Sequence, residues 1–332
     1  MRTILTLGVV AWVVAVLVVL TMARGEPGSA SHCTTTVTAP SSIQAAIDAA
    51  SSGDVVCLDD SGVFAQTVVF GPEDSGITLS AEDGDTPVMN GGSAALDAIR
   101  LLDEVSDVTI EGLTIQNYGA DALTQPGNAI QAWDVNTSNI TIRNNNMHGF
   151  SWNAVLVGSE GGFVHDNWMV KNNVVTDAAF VGIELTNCNI CTIMKNDVDP
   201  TTIGIVVQAR NTVVGSGLVT IDGVSVLHNT VTDASYAGIY VLSYTGVQTD
   251  PFDPIVGASI LLTSVSVSHN TVTDADVMGI RFWAYNEGAT AKNGRIMKNE
   301  VNCPETTPGI GVLERSTSGP PGTVENVKVV NN

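Results

Sequence analysis

Positive charge is scarce in this sequence. Against 34 Asp and Glu stand 13 Lys and Arg, a formal net charge of −21 over 332 residues. The acidic residues are spread along the chain rather than gathered in a tail. The molecule therefore repels polyanions, and neither DNA nor RNA fits as a partner. That acidity suits a solvated, aggregation-resistant surface, or acidic loops that hold Ca²⁺. Aromatic residues are also few, 5% of the chain, so any gathering of them is informative. Cysteines number five, and an odd count leaves at least one thiol outside a disulfide framework.

A long apolar run occurs in one place, Ile4 to Met22 (ILTLGVVAWVVAVLVVLTM), after Arg2 and before a polar Glu26-Pro27-Gly28-Ser29 spacer. Residues 1–25 read as an export signal or an N-terminal membrane anchor, and Gly28-Ser29-Ala30 offers small residues where a peptidase can cut. Both readings place the remainder outside the cytoplasm, secreted or anchored, with the membrane involved only through this segment. Residues 26–40 then form a linker and first strand, and 41–332 one domain, since 44% apolar residues suffice for a substantial core. Asn136 and Asn139 begin N-x-S/T sequons, which matter only where exported proteins are glycosylated.

What the sequence does have is a recurring phrase: apolar, any, apolar, any, any, Asn, as in VSVLHN ending at Asn229 and VSVSHN ending at Asn270. Its last position is occupied by Leu113, Asn145, Asn173, Asn196, Asn229, Asn270, Asn299 and Asn332, at spacings of 23 to 41 residues. A second phrase, small residue then apolar, any, apolar, interleaves with it at Ala98, Ala129, Ala154, Gly182, Gly204, Gly238, Gly279 and Gly309. Strands this short cannot each bury a face alone. Stacked at about 4.8 Å, they share one dry interior. A β-sandwich or propeller would show hairpin turns and a steadier period. Asn suits a repeated turn because it tolerates left-handed backbone and its amide can both donate to and accept from the same amide one coil away.

Ahead of the repeats, Ser42 to Ala50 (SIQAAIDAA) has helical apolar spacing and a Ser start signal, and a Gly53-Asp54 turn leads into Val55-Val56-Cys57-Leu58. It reads as a cap, residues 42–50, over the first coil. Helix, Gly-Asp turn, strand and Asn-punctuated coils together resemble the pectate-lyase-like superfamily, from about Cys33 onward. The resemblance implies an all-β fold, a single-stranded right-handed parallel β-helix, and a polysaccharide or cell-surface glycan as partner. It does not reach the family's active-site patterns. The sequence lacks the lyases' column of strand carboxylates, the Gly-His-Gly with paired Asp of polygalacturonases, and the Asp-Pro-His-Asp of mannuronan epimerases. The chain stops at Asn332, on a ladder position with no visible cap, which suggests truncation or cover by another chain.

Cys33 and Cys57 lie 24 residues apart, close to one coil, so a bridge between them would pin the capped end. Cys188-Asn189-Ile190-Cys191 has C-x-x-C spacing without the second pair a metal site needs, which favours a local disulfide or two packed thiols. Cys303 lies three rungs further on, about 14 Å at strand spacing, and reads as free.

Alternation along the small-apolar strands points Arg100, Gln131, Leu156, Glu184, Val206, Tyr240, Arg281 and Gly311 outward in one column. Two residues on come Trp133, Thr186, Gln208, Leu242 and Trp283, then Arg210, Tyr244, Tyr285, Glu314 and Arg315. In a chain so poor in aromatics, Trp133, Tyr240, Tyr244, Trp283 and Tyr285 on one face, with Gln208 between them, suggest platforms for sugar rings. The competing reading is that these rings cover apolar surface beneath long loops. If the face is catalytic, Arg281 flanked by Tyr240 and Glu184 is the candidate base or anion clamp of a lyase acting on a uronate-rich glycan, with Ca²⁺, held by Asp250 and Asp253, as candidate cofactor. Hydrolysis by Glu184 and a second carboxylate ranks below it. Asp177, Asp233 and Asp274 read as turn residues rather than a cation ladder, and His165-Asp166-Asn167 as a solvated turn. The second function class is a non-catalytic surface or envelope rod with a structural or adhesive role, and an oligomer through the uncapped end is a further option.

Overall fold

Three-residue strands with one buried side chain between two half-exposed ones, such as Thr109–Glu111, Thr141–Arg143 and Thr192–Met194, recur along the chain. In the computed structural model these strands stack directly on one another. The structure describes residues 33–92, 97–122, 124, 126–160, 162–213, 217–245, 258–315 and 320–332. Residues 1–25, read as signal or anchor, lie outside them. Among the described residues no helix is long and apolar enough to cross a membrane.

The stacking builds parallel sheets. One has 11 strands, from Thr35–Val37 to Lys328–Val330; a second has 16 and contains both the Val-Thr strands and the small-apolar strands; two shorter sheets have 3 and 4. Among the described residues every strand pairing is parallel, and register is kept coil after coil, as in Ile110↔Ile142↔Val170↔Ile193↔Val226↔Val267↔Ile296. Parallel pairing with a crossover of one coil is the right-handed parallel β-helix. The inward residues form a single core. Helix Ile43–Ala49 caps it: Ser42 Oγ accepts from Ala45 N at 3.1 Å, and Ile43 and Ile47 are buried.

Asn145, Asn173, Asn196, Asn229, Asn270, Asn299 and Asn332 stack as a ladder. Each Nδ2 donates to the Oδ1 one coil further on, at 2.9 to 3.1 Å from Asn145 to Asn332. The same Nδ2 donates to a strand carbonyl one coil back, for example Asn229 to Ile193 O at 3.0 Å. Leu113 begins the ladder through its backbone N–H alone, donating to Asn145 Oδ1. The left-handed residue is the one before each ladder Asn, not the Asn itself: Gly112, Asn144, Asn172, Lys195, His228, His269, Lys298 and Asn331 all have φ of 52 to 73°. The ladder position is thus set by amide chemistry and its predecessor by backbone shape.

The small residue of the second phrase has a steric cause. A Cβ at Gly182 would lie 2.4 Å from Val198 Cγ1 and 2.7 Å from Gly204 O, and Gly204 and Gly238 are hemmed in the same way. Cys33 and Cys57 form a disulfide, as do Cys188 and Cys191, and Cys303 keeps a free thiol. His165 is not a solvated turn. It sits in the two-residue strand His165–Asp166, wholly buried, while Asp166 and Asn167 face solvent.

Candidate functional site

The outward columns exist in register. Arg100, Gln131, Leu156, Glu184, Val206, Tyr240, Arg281 and Gly311 pair successively, as do Arg210, Tyr244, Tyr285 and Arg315. The hollow they flank is not centred where ring counting puts it. A groove of about 670 Å³ lies over the middle coils, lined by Gln131, Trp133, Asp134, Trp152, Leu156, Glu160, Phe180, Glu184, Gln208, Arg210 and Tyr244 among others.

Glu184 is its chemical centre. The side chain is 9% exposed. Its Oε2 accepts from Asn153 Nδ2 at 2.9 Å, and its Oε1 pairs with Thr186 Oγ1 at 3.0 Å. Burial pushes its pKa above the usual carboxylate range, against the pull of those hydrogen bonds and of nearby Arg210. Arg210 Nη2 forms an ion pair with Glu160 Oε2 at 2.9 Å. Buried Asn187 fixes the Arg210 backbone, accepting from Arg210 N at 2.7 Å and donating to Arg210 O at 2.9 Å. Asp134 accepts from Glu160 N at 3.0 Å. The groove thus offers one carboxyl driven toward its neutral form beside an ionised carboxylate locked to a guanidinium. Trp133 stands half-buried on one wall. Trp152 stacks on Phe180 at 4.6 Å on the other, and Phe180 keeps 38% of its surface exposed.

Further along the column, Tyr236, Tyr240, Leu242, Tyr244, Trp283, Tyr285 and Arg315 line a smaller hollow of about 300 Å³. These rings stack on each other, Trp283 on Tyr285 at 5.6 Å and Tyr240 edge-on to Trp283 at 6.0 Å. Tyr244, Trp283 and Tyr285 are only 5 to 9% exposed. They form a satellite core cluster with little face left for a ligand. Arg281, 5% exposed, lies beneath the Trp283 ring and 5.3 Å from the Tyr236 and Tyr240 centroids, its Nη1 donating to the Tyr236 hydroxyl. Burial also raises the Tyr240 pKa well above its ordinary value. The expected grouping of Arg281 with Glu184 does not form: three rungs separate them, about 14 Å. Trp133, Glu184, Gln208 and Tyr244 line the main groove, whereas Tyr240, Trp283 and Tyr285 belong to the cluster beyond it.

Asp250 and Asp253 lie outside the described residues. Among the described residues no three acidic, His or Cys side chains converge to hold a metal. Asp177, Asp233 and Asp274 have φ of 52 to 55°, as left-handed turns require. Sequence reasoning missed Trp152, Phe180, Glu160, Asn128 and Asn153. For the last two a signal existed: the residue before the small position is polar at Asp97, Asn128 and Asn153, then apolar at Val181, Ile203 and Ala237.

The stacked parallel strands define the fold as a right-handed parallel β-helix. The family described as right handed beta helix region matches residues 96–251. Among solved structures, the polygalacturonase from Erwinia carotovora ssp. carotovora is similar over 85% of this chain and 96% of its own, at 15% identity and a TM-score of 0.50. The mannuronan C-5 epimerase A-module of Azotobacter vinelandii aligns with 87% of this chain and 90% of its own, at 14% identity and a TM-score of 0.46. XylC, solved in complex with xylose, aligns over 82% of this chain and 66% of its own, just under two thirds, at 11% identity and a TM-score of 0.48. No curated protein sequence matches the chain.

Proposed function

We propose that the groove binds a glycan and that Glu184 cleaves it as a general acid. The observation that carries this is a buried carboxyl, driven toward its neutral form by burial, beside the ionised Glu160–Arg210 pair and between aromatic walls. Trp133, Trp152 and Phe180 supply stacking faces for sugar rings, and Gln131 and Gln208 supply hydrogen bonds. Glu184 passes its proton to the glycosidic oxygen as the carbon–oxygen bond breaks, and the Glu160 carboxylate draws a proton from the water that adds to the sugar carbon. A polygalacturonase shares the fold, which supports a glycan-directed reading.

Our reading favours hydrolysis over the lyase chemistry ranked first on the sequence. Elimination beside a uronate carboxylate needs a free cation to neutralise charge at that carboxylate. Among the described residues Arg210 is the one cation lining the groove and is already paired with Glu160, and Arg281 is buried under Trp283. The proposed substrate is therefore built of neutral sugars. Export directed by residues 1–25 would place the groove where such glycans occur.

The test is a calorimetric binding screen of neutral and uronate oligosaccharides, with and without Ca²⁺, joined to a reducing-end assay. Phe180→Ala and Trp133→Ala should each weaken binding about tenfold, while Glu184→Gln should bind but not turn over. An unsaturated product would overturn hydrolysis. Binding to no glycan would leave the structural or adhesive rod.

A further inference from the structure

The residues preceding the small position form a second buried ladder, on the groove side of the coil. Asp97 Oδ1 accepts from Asn128 Nδ2 at 2.7 Å and from Asn128 N at 3.2 Å. Asn128 Oδ1 accepts from Asn153 N at 3.1 Å, and Asn153 Oδ1 accepts from Val181 N at 3.1 Å. All three side chains are buried; Asn153 is 0% exposed.

This ladder ends differently from the long one. There each Nδ2 finds the Oδ1 of the next Asn. Here the donors run the other way, Asn128 Nδ2 back to Asp97 Oδ1, but Asn153 reaches back to Asn128 Oδ1 with its backbone N–H, and the next coil presents Val181, which has no side-chain acceptor. The Asn153 amide would be left with a buried, unpaired N–H, at a cost of about 1–3 kcal/mol. It turns instead to Glu184 Oε2, three residues further along the same coil.

We infer that Asn153 is a positioning residue for Glu184, the terminal amide of a truncated ladder that engages Oε2 and so holds the acidic proton on Oε1. The inference rests on Glu184 being the proton donor proposed above. With Oε2 accepting from Asn153, the neutral carboxyl keeps its hydrogen on Oε1 and donates to Thr186 Oγ1, whose own hydrogen points to Gln208 Oε1 at 3.5 Å. When the proton leaves for the glycosidic oxygen, the Thr186 hydroxyl rotates and donates to Oε1. The ionised carboxylate then accepts two hydrogen bonds, one of them from Asn153. The other charged groups facing it are Arg210 and Glu160, and neither changes partner in this step.

The experiment is a carboxyl carbon NMR titration of the full chain labelled at glutamate, with Glu184→Gln assigning the signal. In Asn153→Ala the ionised form loses a donor, so the Glu184 midpoint should rise by about one pH unit. The alkaline limb of the turnover profile should move with it. Asn229→Ala, in the other ladder, should lower thermal stability and leave the midpoint in place. Asn153→Asp keeps the shape, swaps donor for acceptor, and should raise the midpoint further; it serves if the alanine variant does not fold. A wild-type midpoint in a folded Asn153 variant overturns the inference. A shifted midpoint without turnover of any glycan leaves the positioning intact and removes the catalytic reading instead.

Discussion

At the scale of single residues, burial decides two proton affinities with opposite consequences for stability. His165 is wholly enclosed, and its Nδ1 lies 2.7 Å from Thr137 Oγ1. That hydroxyl also accepts from Trp168 Nε1 at 3.0 Å. Burial pulls the pKa down from 6.5 to about 4. Below 6.5 the unfolded chain takes up a proton that the folded one refuses, so stability falls as pH drops from 6.5 through 4. The loss approaches about 3 kcal/mol. Denaturant titrations at pH 7 and pH 4.5 should show this loss, and His165→Asn should flatten it. Glu184 runs the other way. Its raised pKa means that its share of stability is present below the ordinary carboxylate range and lost as pH rises through the folded value. Glu184→Gln should therefore melt higher than the parent at pH 8 and alike at pH 4. His165 was misread because Asp166 and Asn167 beside it are polar and exposed, and a two-residue strand shows too little alternation to reveal which side chain turns inward.

At the scale of elements, the ladder was legible because one chemical requirement repeats at every coil. Asn229→Ala removes the side-chain donor to Ile193 O, one of the two donors to Asn270 Oδ1, and the acceptor of Asn196 N and Nδ2. Urea unfolding should show a loss of about 1–3 kcal/mol. Asn332→Ala should lose less, since Asn332 is exposed and its Oδ1 serves only Asn299. The left-handed predecessor was not legible, because Lys195, His228, His269 and Lys298 give no sign of it. They take that conformation because the turn between two fixed strands demands it. The aromatic face misled for a related reason. Alternation tells which side chains point outward, not how much of each ring its stacked neighbours cover, and in-register Tyr240, Trp283, Tyr244 and Tyr285 cover one another. The two usable rings that alternation did not find come from before the small position, Trp152 between strands and Phe180 at a register shift within Val174–Thr186, where the strand period is interrupted.

At the scale of the whole molecule, the charge of −21 and the groove bear on the same question, which glycan is accepted, and salt separates them. General repulsion of a uronate chain is a long-range effect, screened within about 10 Å at 0.1 M salt and within about 3 Å at 1 M. Among the described residues the groove holds no free cation, a short-range effect that salt does not repair, because Arg210 stays paired with Glu160 at 2.9 Å. If surface charge alone rejected uronates, binding would appear as salt is raised. The groove geometry leads us to expect otherwise: calorimetry from low salt to about 1 M should show neutral oligosaccharides binding with little change and uronate oligosaccharides failing throughout. Glu160→Gln frees Arg210 without altering the side chain's length. It should admit a uronate oligosaccharide at high salt while abolishing hydrolysis of the neutral one. If the parent chain itself binds uronates once salt is raised, the specificity lies in the surface and not in the groove.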